Sequence, residues 1–117
     1  MMEMLNREQQ RLLHQFLLLD LAVRSLRHDI IVAEHFKMKR IFLPSIDRLL
    51  KQLHKDYFDV KGQLAKQKIR LVGWHRIDDY FSEVQIATAG NDGVLRYANQ
   101  ALKTQVEELI HHYLHNS

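Results

Sequence analysis

Cysteine is absent from this sequence, proline occurs once and glycine four times. The first absence excludes disulfides and thiolate metal sites, and it suits a reducing cytoplasm. Charge of one sign is also missing: 17 Lys and Arg against 14 Asp and Glu leave a formal +3, too little to imply a polyanion partner from the total alone. No apolar run has the length or purity of a membrane span. The nearest candidate, residues 12–23, is broken by His14, Gln15 and Asp20, and it lacks the small-residue cleavage site of a signal peptide. Catalytic signatures are equally scarce. Ser45 and Ser82 have no nucleophile-elbow context, Gly90 to Gly93 lacks the lysine of a phosphate loop, and the adjacent Asp78 and Asp79 fit turn chemistry. The expectation is a cytoplasmic, non-enzymatic protein with no cofactor and no membrane partner, folded as one domain over residues 1–117.

What the chain does contain is helical periodicity. Leu12, Phe16, Leu19, Val23, Leu26, Ile30 and Ala33 follow one another in steps of four and three, which keeps them on one stripe of a helix. Asn6 is placed to cap that helix, and the periodicity predicts that it persists to about Phe36. Fully burying a large apolar side chain is worth about 1.5–3 kcal/mol, so this row contributes on the order of 10 kcal/mol before ordering entropy. Leu13, Leu17, Leu18 and Leu21 lie off the stripe, more apolar surface than one neighbour covers. Either a second helix and a sheet pack around this half or another copy of the chain does, and we expect a homodimer or higher oligomer.

Lys37, Lys39 and Arg40 suit the end of the first helix, and Pro44 suits the first turn of the next. We therefore expect a turn over residues 38–43 and a second helix from Pro44. Its stripe of Ile46, Leu50, Leu53, Tyr57, Val60 and Leu64, with Leu49 beside it, matches the first and predicts an antiparallel helical hairpin. Residues 69–76 and 80–88 are rich in β-branched and aromatic side chains, with Ile77, Asp78 and Asp79 as the connection, and read as a two-stranded β-hairpin. In the expected register Ile69 and Leu71 face inward with Val84 and Ile86, while Arg70, Val72, Trp74 and Arg76 share the other face with Phe81, Glu83 and Gln85.

Residues 89–93, Ala-Gly-Asn-Asp-Gly, are the strongest punctuation in the chain. Asn91 or Asp92 is read as the cap of a third helix running to about Leu114, with Leu95, Ala98, Leu102, Val106, Leu109 and Tyr113 as its stripe. The competing reading makes Val94 to Tyr97 a third strand. The predicted fold class is thus α+β and mainly α: a long helical hairpin, a β-hairpin and a C-terminal helix packed on the bundle.

Two groups of side chains have chemistry to offer. Lys66, Lys68, Arg70, Trp74 and Arg76, with Lys61 and His75 nearby, interleave cations with an aromatic, as contact with a phosphate backbone and unstacked bases requires. On the last helix, Glu108, His111 and His115 offer metal-ligand spacing: Glu108-x-x-His111 is the bundle carboxylate–histidine motif, present once, and His115 lies one turn beyond. Zinc generally needs three or four protein ligands, and a cationic histidine also suits a helix C-terminus. His28, Asp29, Glu34 and His35 are read as solvated helix surface. The function expected from the sequence is a regulatory or protein-interaction module that presents the hairpin face or the helix ends to a protein partner. The alternatives are a nucleic-acid-binding regulator and, last, a histidine-based metal binder.

Overall fold

The structure, a computed structural model, describes residues 5–116. Six elements follow one another: α1 (Arg7–Ala33), α2 (Lys39–Lys66), β1 (Arg70–Arg76), β2 (Phe81–Thr88), β3 (Asn91–Ala98) and α3 (Asn99–His115). The helices cover one face of an antiparallel sheet of order β1-β2-β3, and all six elements feed one hydrophobic core. No helix among the described residues is long and apolar enough to cross a membrane.

α1 starts where Asn6 caps it. The Asn6 side chain accepts from the Gln9 amide at 2.8 Å, and the Gln9 side chain accepts from the Asn6 amide at 3.0 Å, a reciprocal capping box. The two apolar stripes do face one another. Phe16, Leu19, Val23 and Leu26 bury against Leu53, Val60 and Leu64, and the Phe16 and Tyr57 rings meet with centroids 4.9 Å apart. Leu13 and Leu17 are also fully buried, because α3 packs on the side of α1 that α2 leaves open and the sheet reaches α1 through Trp74 at Asp20 and Tyr97 at His14. The chain therefore hides the first half of α1 itself.

The helix boundaries differ from those expected. α1 ends at Ala33, three residues early, and the connection is residues 34–38 instead of 38–43. α2 begins at Lys39, where the Met38 carbonyl accepts from Ile41 at 2.9 Å and Phe42 at 3.3 Å. Pro44 is then the sixth residue of the helix and leaves only the Arg40 carbonyl without its intrahelical donor. At the other end α2 closes with Lys68 in the left-handed region (φ 60°). The Lys68 amide bonds to the Ala65 carbonyl at 3.0 Å and the Ile69 amide to the Leu64 carbonyl at 2.9 Å, with Ile69 and Leu64 both buried, a Schellman closure that turns the chain into β1.

The sheet has three strands, not the two expected. Residues 91–98 form β3 and do not open a helix, so α3 starts only at Asn99. The turn explains the error. Thr88 pairs with Asn91, so Ala89 and Gly90 alone make the loop, and Gly90 at φ 84° supplies the left-handed residue such a tight turn needs. Beyond it, Leu95 and Tyr97 pack on the core while Val94 and Arg96 point outward, the alternation of a strand with one covered face.

A second correction concerns β1. Leu71 pairs with Ile86 and Gly73 with Gln85, so Val72 is an extra residue, a bulge that reverses the alternation after it. Ile69, Leu71, Val84 and Ile86 do lie on the core side, but Trp74 pairs with Val84 and joins them, and Arg76, opposite Ser82, takes the same face. Arg70, opposite Ala87, stays on the outer face, so the expected shared face of Arg70, Trp74 and Arg76 does not exist.

Candidate functional site

The bulge sends Trp74 toward α1, where its Nε1 donates to Asp20 Oδ2 at 2.9 Å. Asp20 is the one buried polar or charged residue among the described residues, and the same oxygen also takes Arg24 Nε at 3.0 Å from one turn further along the helix. A carboxylate this deep needs partners, and these two supply them. Oδ1 takes no hydrogen bond among the described residues, and it is not sealed from solvent.

Asp20 lines a cleft of about 490 Å³ between α1, α2 and the free edge of β1. Phe16 and Leu64 form its apolar floor, with Tyr57 beside them, and Arg24, Lys61 and Arg70 bring three cations to its lining against the single carboxylate. Lys61 Nζ stands 5.9 Å from the centre of the Tyr57 ring, within cation–π range. Burial, and then the charge of Asp20, push the Tyr57 hydroxyl above its usual value against the opposing effect of Arg24 and Arg27, so it stays a hydrogen-bond donor at neutral pH. A larger, more open depression of about 630 Å³ surrounds the Ala89–Gly90 turn and shares Arg70 with the cleft. The titratable groups lining it, Lys68, Arg70 and Asp92, are all exposed.

The side chains singled out in the sequence fall in different places. Lys66 and Lys68 are exposed at the end of α2, and Arg70 is exposed at the cleft edge. Trp74 is half-buried with its N–H engaged, and its ring lies 6.3 Å from that of Tyr97. Arg76 is held at the far end of the sheet by Asp79 at 2.9 Å and by the Asp78 carbonyl at 3.0 Å. Lys66, Lys68 and Arg70 thus remain near one another, without Trp74 or Arg76. On α3, the His111 and His115 rings stack edge to face at 4.2 Å, with Glu108 exposed on the same helix. No group of three His, Asp or Glu side chains among the described residues is arranged to hold a metal ion.

Sequence reasoning missed Asp20 as a buried group. Asp20 and Arg24 stand four apart on one helix and do pair, but nothing along the chain reports that the bulge carries Trp74 across to Asp20.

A second surface also stands out. Ile31, Val32, Phe36, Met38, Ile41 and Phe42, at the turn of the helical hairpin, are between 43% and 61% exposed. The Phe36 and Phe42 rings meet edge to face at 5.9 Å. Glu34, Lys37, Lys39 and Arg40 are exposed around them, with no ion pair among the described residues.

Comparison with known proteins adds a relationship. The profile of the YhjD protein family matches residues 4–117. The chain is also 30% identical over 105 residues to the Uncharacterized protein YhjD of Bacillus subtilis (strain 168), an alignment covering 88% of this chain and 87% of that relative. No solved structure matches. A family match across nearly the whole sequence, together with a relative aligned over most of both lengths, means that this chain belongs to the YhjD family.

Proposed function

We propose that this protein is a non-enzymatic interaction module of the cytoplasm that self-associates through the tip of its helical hairpin. The carrying observation is the exposed apolar cluster from Ile31 to Phe42. Its six large side chains are already about half buried, and full burial of each is worth about 1.5–3 kcal/mol, so two copies meeting tip to tip gain on the order of 9–18 kcal/mol. Association itself costs about 4–15 kcal/mol, which leaves a dimer that depends on protein concentration. The unpaired charges at the rim are of both signs, so Glu34 of one copy has Lys37, Lys39 or Arg40 of the other to meet in a twofold arrangement. Mass measurement by light scattering across a concentration series tests this. The wild type is expected to shift from monomer to dimer, and Phe36→Ser with Phe42→Ser to remain monomeric with unchanged helical circular dichroism. A wild type still monomeric at about 1 mM, where an association worth only about 4 kcal/mol would register, removes the reading.

One observation favours a second reading. Lys66, Lys68 and Arg70 are exposed around the α2–β1 junction and have no ion pair among the described residues, as a phosphate-tracking patch requires. The corresponding result is binding to single-stranded nucleic acid that weakens steeply with salt and loses part of its salt slope in Arg70→Ala. Absence of binding at low salt excludes it.

A further inference from the structure

We infer that the cleft between α1, α2 and the β1 edge binds a small organic anion, with a carboxylate or phosphate head and an apolar body. Three features support this independently of the hairpin tip. The first is size: about 490 Å³ lies within the range of pockets that enclose small ligands. The second is charge. Arg24, Lys61 and Arg70 outnumber Asp20 three to one in the lining, Arg24 alone is paired with that carboxylate, and Lys61 and Arg70 have no ion pair among the described residues. Two cations are therefore left for an incoming anion, one of them a guanidinium suited to bidentate contact.

The third feature is the polar group at the base of the cleft. Asp20 is held by Trp74 and Arg24 through Oδ2, which fixes the carboxylate and leaves Oδ1 without a hydrogen bond among the described residues, so a hydroxyl or amine on the ligand has an acceptor. The neutral Tyr57 hydroxyl adds a donor, and Phe16 with Leu64 gives the ligand's body an apolar seat. A merely structural Asp20–Trp74 lock explains the buried carboxylate, but it does not explain the two unpaired cations that line the same cavity.

The probes are phenyl phosphate and benzoate, with inorganic phosphate as the head alone and benzyl alcohol as the body alone. Titration of the full chain, followed by amide NMR shifts, is expected to show saturable changes centred on Arg24, Tyr57, Lys61 and Arg70 for at least one of the two anions. Which one saturates identifies the head group. Inorganic phosphate and benzyl alcohol are expected to bind at least about tenfold more weakly, and Lys61→Gln with Arg70→Gln to weaken the anion at least about tenfold, since hydrogen bonds to charged groups are at stake. The double variant keeps its dispersed spectrum, because both side chains are on the surface. The inference is overturned if neither anion saturates, if the shifts scatter over all basic surfaces, if inorganic phosphate binds as well as the aromatic anions, or if the double variant binds unchanged.

Discussion

Replacing Asp20 with alanine removes the acceptor shared by Trp74 Nε1 and Arg24 Nε, and the two losses differ in weight. The Arg24 side chain is 60% exposed and water takes over its role, so that pair contributes only a few tenths of a kcal/mol. The Trp74 N–H is half-buried on the inner face of the sheet and donates to a carboxylate, a bond worth about 1.5–3 kcal/mol. Part of that loss returns because no charge is then held in the interior. We expect Asp20→Ala to destabilise by about 2 kcal/mol, and Asp20→Asn, which keeps an acceptor, by about 1 kcal/mol or less. At the usual unfolding entropy per residue, 1 kcal/mol moves the midpoint of a chain this long by about 4 °C, so Asp20→Ala should melt about 8 °C below wild type. Trp74→Phe completes a double-mutant cycle by removing the N–H and keeping an aromatic ring. Urea denaturation monitored by far-ultraviolet circular dichroism in all four proteins should give a coupling of about 1.5 kcal/mol. A coupling below about 0.5 kcal/mol would mean that the bond does not tie the sheet to α1, and the role assigned to the bulge would fall with it.

Two further predictions rest on local chemistry. Lys68 occupies a left-handed position that glycine fills without cost, so Lys68→Gly should raise stability by about 1 kcal/mol in thermal or urea unfolding, and a destabilised variant would contradict the closure described for α2. The Tyr113 hydroxyl donates to Asp56, and burial, that hydrogen bond and the Asp56 charge together push its ionisation well above the usual tyrosine value. A tyrosine ionising at higher pH in the folded state than in the unfolded one contributes stability that is complete below about pH 10 and lost as pH rises beyond it. Wild type should therefore lose more stability than Tyr113→Phe between about pH 9 and pH 11, and equal losses would refute the assignment.

The helical hairpin was legible because both of its stripes repeat over many turns, long enough for period to outweigh local accidents. The third strand was legible only as the competing reading of Val94 to Tyr97, since Leu95, Ala98, Leu102 and Val106 continue a helical spacing smoothly across the real boundary at Asn99. What decides against a helix there is pairing with β2, a partner the local spacing does not name. The candidate cleft was illegible for a related reason. One inserted residue at Val72 exchanges the faces of everything after it in β1, so an alternation read without the bulge puts Trp74 among the wrong neighbours. Arg70 was singled out as part of a basic group for nucleic-acid contact, and spacing gave no sign of a cleft: Lys61 of that group reaches it from α2, and Arg24 comes from α1. The apolar surplus of α1 was visible in the composition, but its location was not: the leucines of the first half are covered by α3 and the sheet, and the uncovered side chains collect at the hairpin turn.

The sequential strand order and the back-to-back helices have a kinetic consequence. α1 meets α2, β1 meets β2 and β2 meets β3 across short connections, and among the extensive pairings only α3 against α1 joins distant parts of the chain. Search through conformational space is short when most native neighbours are near in sequence, so such a topology belongs with the rapid folders. Docking of the last helix is then the step that closes the longest loop, and it should set the pace.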